Sequence, residues 1–208
     1  RTAVVRPGAE QDAPEAADLL GRAPTYLHPI TRSHTTMTIL GIDPGTREMG
    51  AVVLNDRTLL ALGVHTLTNG HRPRDLIDQA RRIVLSYIEE FSPEVVGIEK
   101  PLLVPTKRAA LVSVIGQELH ARSRDLGTHV IELSAREVRR IVVGNPHAKK
   151  FDVARFLVRQ FPDLAPKLPK DPPHPVLGYK PKDRYWLHMF DALAVAMATR
   201  SMAEGMTP

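Results

Sequence analysis

Four side chains in this sequence, Asp43, Glu99, His188 and Asp191, have the types and spacing needed to work together on a phosphate ester. Asp43 follows the apolar run Ile39-Leu40-Gly41-Ile42 and Glu99 follows Val95-Val96-Gly97-Ile98, so each carboxylate closes a short buried strand. His188 and Asp191 are three residues apart, which puts them on one face of a helix. The other side of that helix, carrying Phe190, Leu193, Ala194 and Met197, is expected to pack on the sheet. Three carboxylates gathered at one spot cannot all stay ionised without a cation, so their convergence demands either raised pKa values or bound metal. Oxygen ligands suit Mg2+ or Mn2+, and a pair of such ions can activate a water and stabilise the leaving 3′ oxygen of a phosphodiester. The expected reaction is hydrolytic strand cleavage, with Asp43 bridging two ions, Glu99 and Asp191 holding one each, and His188 serving as a ligand or a proton carrier.

Taken singly, each residue has a plainer explanation. A lone Asp at a strand end is more often a turn former, Glu99 beside Lys100 reads as a surface pair, and a His before an apolar run reads as a helix-start residue. The joint pattern shifts the balance: an acid after Ile-Leu-Gly-Ile, an acid after Val-Val-Gly-Ile, and His-x-x-Asp heading a terminal helix.

The elements that must position these groups can be read from periodicity. Met37 to Asp43, Met49 to Leu54 and Leu59 to Leu67 are apolar and separated by Pro44-Gly45 and by Asn55-Asp56, which predicts an antiparallel meander. Arg74 to Phe91 is an amphipathic helix that Ser92-Pro93 stops. A fourth strand from Glu94 to Glu99 follows, then a long helix from Thr106 to Leu126 and a fifth strand from Thr128 to Leu133. Ser134 caps a short helix through Ile141, with Glu137 in capping-box position. Lys149 to Phe161 is helical again, and the last helix runs from about Trp186 to Ala203. This order predicts an α/β protein of the RNase H-like fold, with a mixed five-stranded sheet of three antiparallel and then two parallel strands, flanked by helices.

At 208 residues with 43% hydrophobic content, the chain fits one domain plus tails. Residues 1–36 lack sustained periodicity and read as a flexible N-terminal extension, with Met37 a place where a native start could fall; residues 37–208 are the expected nuclease domain. Residues 162–183 form a Pro-rich basic insertion. The formal net charge of +5 points to an acidic partner, nucleic acid first among them. With no cysteine there is no disulfide framework, thiolate zinc site or cysteine nucleophile. No apolar run approaches the roughly 18 residues that span a bilayer, so no membrane contact and a cytoplasmic location are expected.

The segment Ile39-Leu40-Gly41-Ile42-Asp43-Pro44-Gly45-Thr46-Arg47 resembles the opening signature of the RuvC family of Holliday-junction resolvases. Ile98-Glu99-Lys100, Ala135-Arg136-Glu137-Val138-Arg139 with Val142-Val143-Gly144-Asn145, and His188-x-x-Asp191-Ala192-Leu193-Ala194 continue the likeness in the same order. The resemblance spans about Met37 to Ala198. It implies a homodimer that binds branched DNA, a four-way junction, and nicks it symmetrically with divalent metal, working beside a branch-migration helicase. It carries the acid positions onto Asp43, Glu99 and Asp191, puts His188 where relatives have Asp or His, and makes Arg139 and Lys150 DNA contacts. Two departures stand out: Leu102 sits where relatives have an aromatic side chain able to stack on an unpaired base, and Pro146 replaces a glycine.

Arg136, Arg139, Arg140, Lys149 and Lys150 surround the Gly144 to His147 loop and are the expected nucleic-acid-binding group. Lys167, Lys170, Lys180, Lys182 and Arg184 in and after the insertion have a solvated loop as an equal reading. Two other functions fit the same residues. One is a YqgF-like nuclease of the same superfamily acting on flaps, single strands or structured RNA; the other is a non-catalytic nucleic-acid binding module, or an ATPase-like relative.

Overall fold

Among the described residues, six strands build one mixed sheet, and their alternation decides which side chains meet which helices. The computed structural model describes residues 2–5, 36–68, 72–101, 106–169 and 181–205. In chain order the elements are β1 (Thr2–Val5), β2 (Thr38–Asp43), β3 (Glu48–Asn55), β4 (Thr58–Thr66), α1 (Pro73–Phe91), β5 (Val95–Lys100), α2 (Lys107–Asp125), β6 (His129–Ser134), α3 (Ala135–Val143), α4 (Lys150–Gln160), a 3-10 turn (Pro162–Lys167) and α5 (Pro181–Glu204). The sheet order is β1-β4-β3-β2-β5-β6. Strands β2, β3 and β4 form the antiparallel meander, while β5 joins β2 in parallel and β6 joins β5 in parallel. These are the five strands that the sequence predicts. The sixth, β1, pairs antiparallel with β4 at the edge and comes from the segment read as an extension. The rest of that reading, and Leu102, Lys170 and Lys180, lie outside the described residues.

Local chemistry explains most of the boundaries. Pro73 opens α1, where its missing N–H costs nothing, and Ser92 ends it in the left-handed region at φ 45°. Thr106 caps α2 by accepting from the Ala109 N–H at 3.1 Å. Ser134 and Glu137 form the expected capping box, and α3 runs two residues past the expected end before Gly144 closes it at φ 73°.

Each face of the sheet carries its own core. Leu40, Ile42, Met49, Val53, Val96 and Ile98 point to α1 and α2, meeting Leu76, Val84, Ile115 and Leu119. Residues of opposite parity, among them Ile39, Val52, Val64 and Val95, point to the side covered by α3, α4 and α5. Asp43 shares parity with Ile39 and Gly41, and Glu99 with Val95 and Gly97, so period-2 alternation turns both acids toward α5.

Helix α5 corrects two sequence expectations. It begins at Pro181, about five residues before Trp186, because proline is well tolerated in a first helical turn. Its sheet-facing side is His188, Ala192, Val195, Ala196 and Thr199 rather than Phe190, Leu193, Ala194 and Met197. Phe190, Leu193 and Ala194 are nevertheless buried, since α3 and α4 cover the helix from outside. A helix enclosed on every side has no polar stripe to read. Glycines on the strands allow the close seating: a Cβ at Gly41 would collide with the Ala192 and Ala196 backbone, and one at Gly50 with the His188 carbonyl oxygen. The helix is tied down by Tyr185 Oη donating to the Val64 carbonyl at 2.8 Å and by Arg200 donating to the Asp56 carbonyl at 2.6 Å.

On the opposite face, β4 buries His65 against α1, where its Nε2 lies 3.0 Å from the Tyr87 hydroxyl. Burial disfavours the imidazolium and lowers the pKa to about 4. As pH falls from about 6.5 to about 4, the unfolded chain takes up a proton that folded His65 refuses, so stability drops by up to about 3 kcal/mol. Urea denaturation at pH 7 and pH 4.5 should show this loss, and His65→Gln, which keeps a partner for Tyr87, should show less of it.

Candidate active site

The acids converge at the end of the sheet where β2 and β5 finish side by side. Parallel register sets Ile42 opposite Ile98, so Asp43 and Glu99 emerge as neighbours on the α5 face. Asp43 is also opposite Gly50, and Gly50 carries the backbone of His188 against the sheet. That contact delivers the imidazole to Asp43, whose Oδ2 accepts from His188 Nδ1 at 2.6 Å. Asp191, nearly one turn further along α5, enters the same cluster, and Lys150 from the first turn of α4 donates to its carboxylate.

The electrostatics report the convergence. Burial, the charge of Asp43 and the charge of Asp191 together push the Glu99 carboxyl well above the usual carboxylate range, against the smaller opposing pull of Lys150 and Arg139. Asp191 is raised as well, because burial and the Asp43 charge outweigh its contact with Lys150. Burial lowers His188, yet the hydrogen bond to Asp43 and its charge carry the net shift upward. The Lys150 ammonium, though partly desolvated, is raised by Asp191, Asp43 and Glu99. The four predicted residues Asp43, Glu99, His188 and Asp191 are thus brought together.

Two residues at the cluster carry roles that the sequence hides. Lys150, expected to be a DNA contact, reaches inward to Asp191 with 41% of its side chain still exposed. Glu48, the first residue of β3, was not among the expected site residues; its Oε2 stands 3.5 Å from His188 Nε2. The signal for Glu48 is its parity with Gly50, visible only once the register of β2 and β3 and the seat of α5 are known.

Whether this donor set suits divalent metal can be tested on its own chemistry. Among the described residues, no three His, Asp or Glu side chains stand close enough to grasp an ion without rearrangement. The Lys150 ammonium and the His188 ring sit on the carboxylate oxygens of Asp191 and Asp43. Glu99 and Asp191, both raised by burial and by the Asp43 charge, are short of positive charge, and oxygen donors at such a spot fit a hard divalent cation.

Of the expected nucleic-acid-binding residues, Arg136, Arg140 and Lys149 are exposed around α3 and the start of α4, and Arg139 is half-buried within electrostatic reach of Glu99. Arg184 is exposed at the first turns of α5, whereas Lys167 lies over the Trp186 ring at 5.2 Å and is committed to packing. No helix among the described residues is long and apolar enough to cross a membrane.

Comparison with known proteins bears on this cluster. The family model "Crossover junction endodeoxyribonuclease RuvC" matches residues 39–175, which include Asp43, Glu99, Arg139 and Lys150 and stop short of His188 and Asp191. The RuvC of a Synechococcus species is 26% identical over 140 residues, covering 65% of this chain and 90% of that one. The RuvC of Ruegeria pomeroyi is 31% identical over 140 residues, covering 63% of this chain and 82% of that one. Among solved structures, Thermus thermophilus RuvC in complex with a Holliday junction substrate is similar with a TM-score of 0.61 at 22% identity, over 82% of this chain and 97% of the other. That likeness shows a shared fold.

Proposed function

Because this chain belongs to the RuvC family of crossover junction endodeoxyribonucleases, we propose that it resolves four-way DNA junctions, as in recombination and repair, by metal-dependent hydrolysis of a phosphodiester in each of two opposed strands. The observation that carries the proposal is the gathering of Asp43, Glu99 and Asp191 at one sheet end, where Asp43 and Asp191 raise the proton affinity of Glu99 and Asp43 raises that of Asp191. The crossover-junction names of the relatives and the junction bound to Thermus thermophilus RuvC support the choice of substrate.

Asp43, Glu99, Asp191 and His188 are the residues that would hold Mg2+ or Mn2+. Two ions are the better count, since Asp43 adjoins His188 on one side and acts on Glu99 and Asp191 on the other. Such ions, when bound, would make a water easier to deprotonate and would offset the charge that grows on the leaving 3′ oxygen. The protein's own groups do the rest. Glu99, buried and short of positive charge, is the acid most disposed to take up a cation or a proton. Lys150, on Asp191 and still partly exposed, and Arg139, within electrostatic reach of Glu99, are the cations placed to hold a strand phosphate beside the cluster. Arg136, Arg140 and Lys149 extend that positive surface along the DNA without reading sequence. Two cuts related by the junction's symmetry call for two copies of the chain, so the working form is a homodimer, with a branch-migration helicase delivering the crossover.

Cleavage of a panel containing a four-way junction, a flap, a single strand and an RNA hairpin, each in Mg2+ and in Mn2+, tests the proposal. The junction should be the preferred substrate, and Mn2+ should serve at least as well as Mg2+ because imidazole is a poor partner for the harder ion. Preference for a flap or an RNA hairpin would move the chain to the YqgF-like reading, and tight junction binding with no cleavage in either metal would leave only a binding module.

A further inference from the structure

We propose that Glu48 is a positioning residue for His188: its carboxylate at the Nε2 side of the imidazole fixes the ring so that Nδ1 is the nitrogen turned to the acid cluster. The geometry comes from the strand itself. Glu48 and Gly50 share parity on β3 and so face α5, and Gly50 is the residue on which the His188 backbone rests. The imidazole therefore stands between two carboxylates, with Asp43 Oδ2 2.6 Å from Nδ1 and Glu48 Oε2 3.5 Å from Nε2.

The two carboxylates are not equivalent. Asp43 is buried beside Glu99 and Asp191, with 10% of its side chain exposed, whereas Glu48 lies at the rim with 27% exposed. The inner one belongs to the acid cluster, and the outer one lies against the ring with its charge also reaching Tyr185. A separation of 3.5 Å is longer than a direct hydrogen bond and short enough for a small rotation of the half-buried Glu48 side chain to close. A histidine that lends one nitrogen to a metal keeps its other N–H on an acceptor, which sets the tautomer and the ring plane. Glu48 is placed to be that acceptor. The inference rests on His188 belonging to the metal-holding set proposed above.

The test is the affinity of the protein for Mn2+, read without DNA and without turnover from the electron paramagnetic resonance signal of the free ion. Wild type, Glu48→Ala, Glu48→Gln, His188→Ala and the Glu48→Ala/His188→Ala double variant are compared, with junction binding in chelator confirming that each is folded. Glu48→Ala should weaken Mn2+ binding by about 10-fold, the lower end of what outer partners of metal ligands contribute. Glu48→Gln, whose amide oxygen accepts the same N–H, should recover most of the loss. The double variant should bind Mn2+ no more weakly than His188→Ala alone, since Glu48 acts through the ring.

Wild-type affinity in Glu48→Ala would overturn the proposal, as would losses that multiply in the double variant, because Glu48 would then act independently of His188. If His188→Ala weakens binding while Glu48→Ala does not, only the role of Glu48 falls. If the wild type neither binds Mn2+ nor cuts any branched DNA, the nuclease reading itself fails.

Discussion

Asp43→Asn should abolish junction cleavage while leaving junction binding and the fold intact. Asp43 is the one acid tied both to the His188 imidazole and, through its charge, to Glu99 and Asp191. The amide keeps the shape of the side chain and removes the charge that a divalent ion would share. Losing metal-derived stabilisation of several kcal/mol corresponds to a rate loss of at least about 10³-fold. The fold should not suffer, because the same substitution relieves the repulsion that burdens Glu99 and Asp191. Single-turnover cleavage in Mn2+ and junction binding in chelator, measured on the same preparation, separate the two effects. Cleavage within tenfold of wild type would remove Asp43 from the metal set, and lost binding would show that the residue serves the fold or the DNA surface instead.

Gly50→Ala, the addition of one methyl group, should damage both stability and catalysis. The new Cβ would overlap the His188 carbonyl oxygen and press on the Ala192 side chain, so α5 must lift from β3. Neither neighbour can yield cheaply: one is helix backbone, and the other is enclosed in the core. Overpacking of this kind costs about 3 kcal/mol, which in a domain of this size lowers the melting temperature by roughly 6–12 °C. Lifting α5 also withdraws His188 and Asp191 from Asp43, so the surviving folded protein should cut junctions far more slowly than its stability alone accounts for. Calorimetry together with single-turnover cleavage well below the melting transition checks both parts. A variant as stable and as active as wild type would mean that α5 does not sit where the structure puts it.

Sequence and structure agree wherever the signal is local. The acids Asp43 and Glu99 announce themselves by closing Ile-Leu-Gly-Ile and Val-Val-Gly-Ile, since a carboxylate at the end of an apolar β-run cannot be part of the core. The capping box of Ser134 and Glu137 and the stop at Ser92-Pro93 are likewise contained within a few residues. Helix α5 was misread in its start and its packing face because it is buried all round, and an apolar helix without a polar stripe leaves the direction of each side chain open. The edge strand β1 was missed because four residues carry too little periodicity, and only their pairing with β4 defines them.

By itself, the sequence determined the kinds of chemical group available, the strands that end in acids and the helix that bears His188 and Asp191, because strand and helix periods are properties of neighbouring residues. Tertiary structure decided which groups touch: Lys150 on Asp191, His188 between Asp43 and Glu48, and α5 set against glycines on three strands. The contact of His188 with Asp43 alone joins residues 145 positions apart. The existence of these contacts depends on strand register and on how closely a helix can approach a sheet, and both are settled by packing across the whole domain.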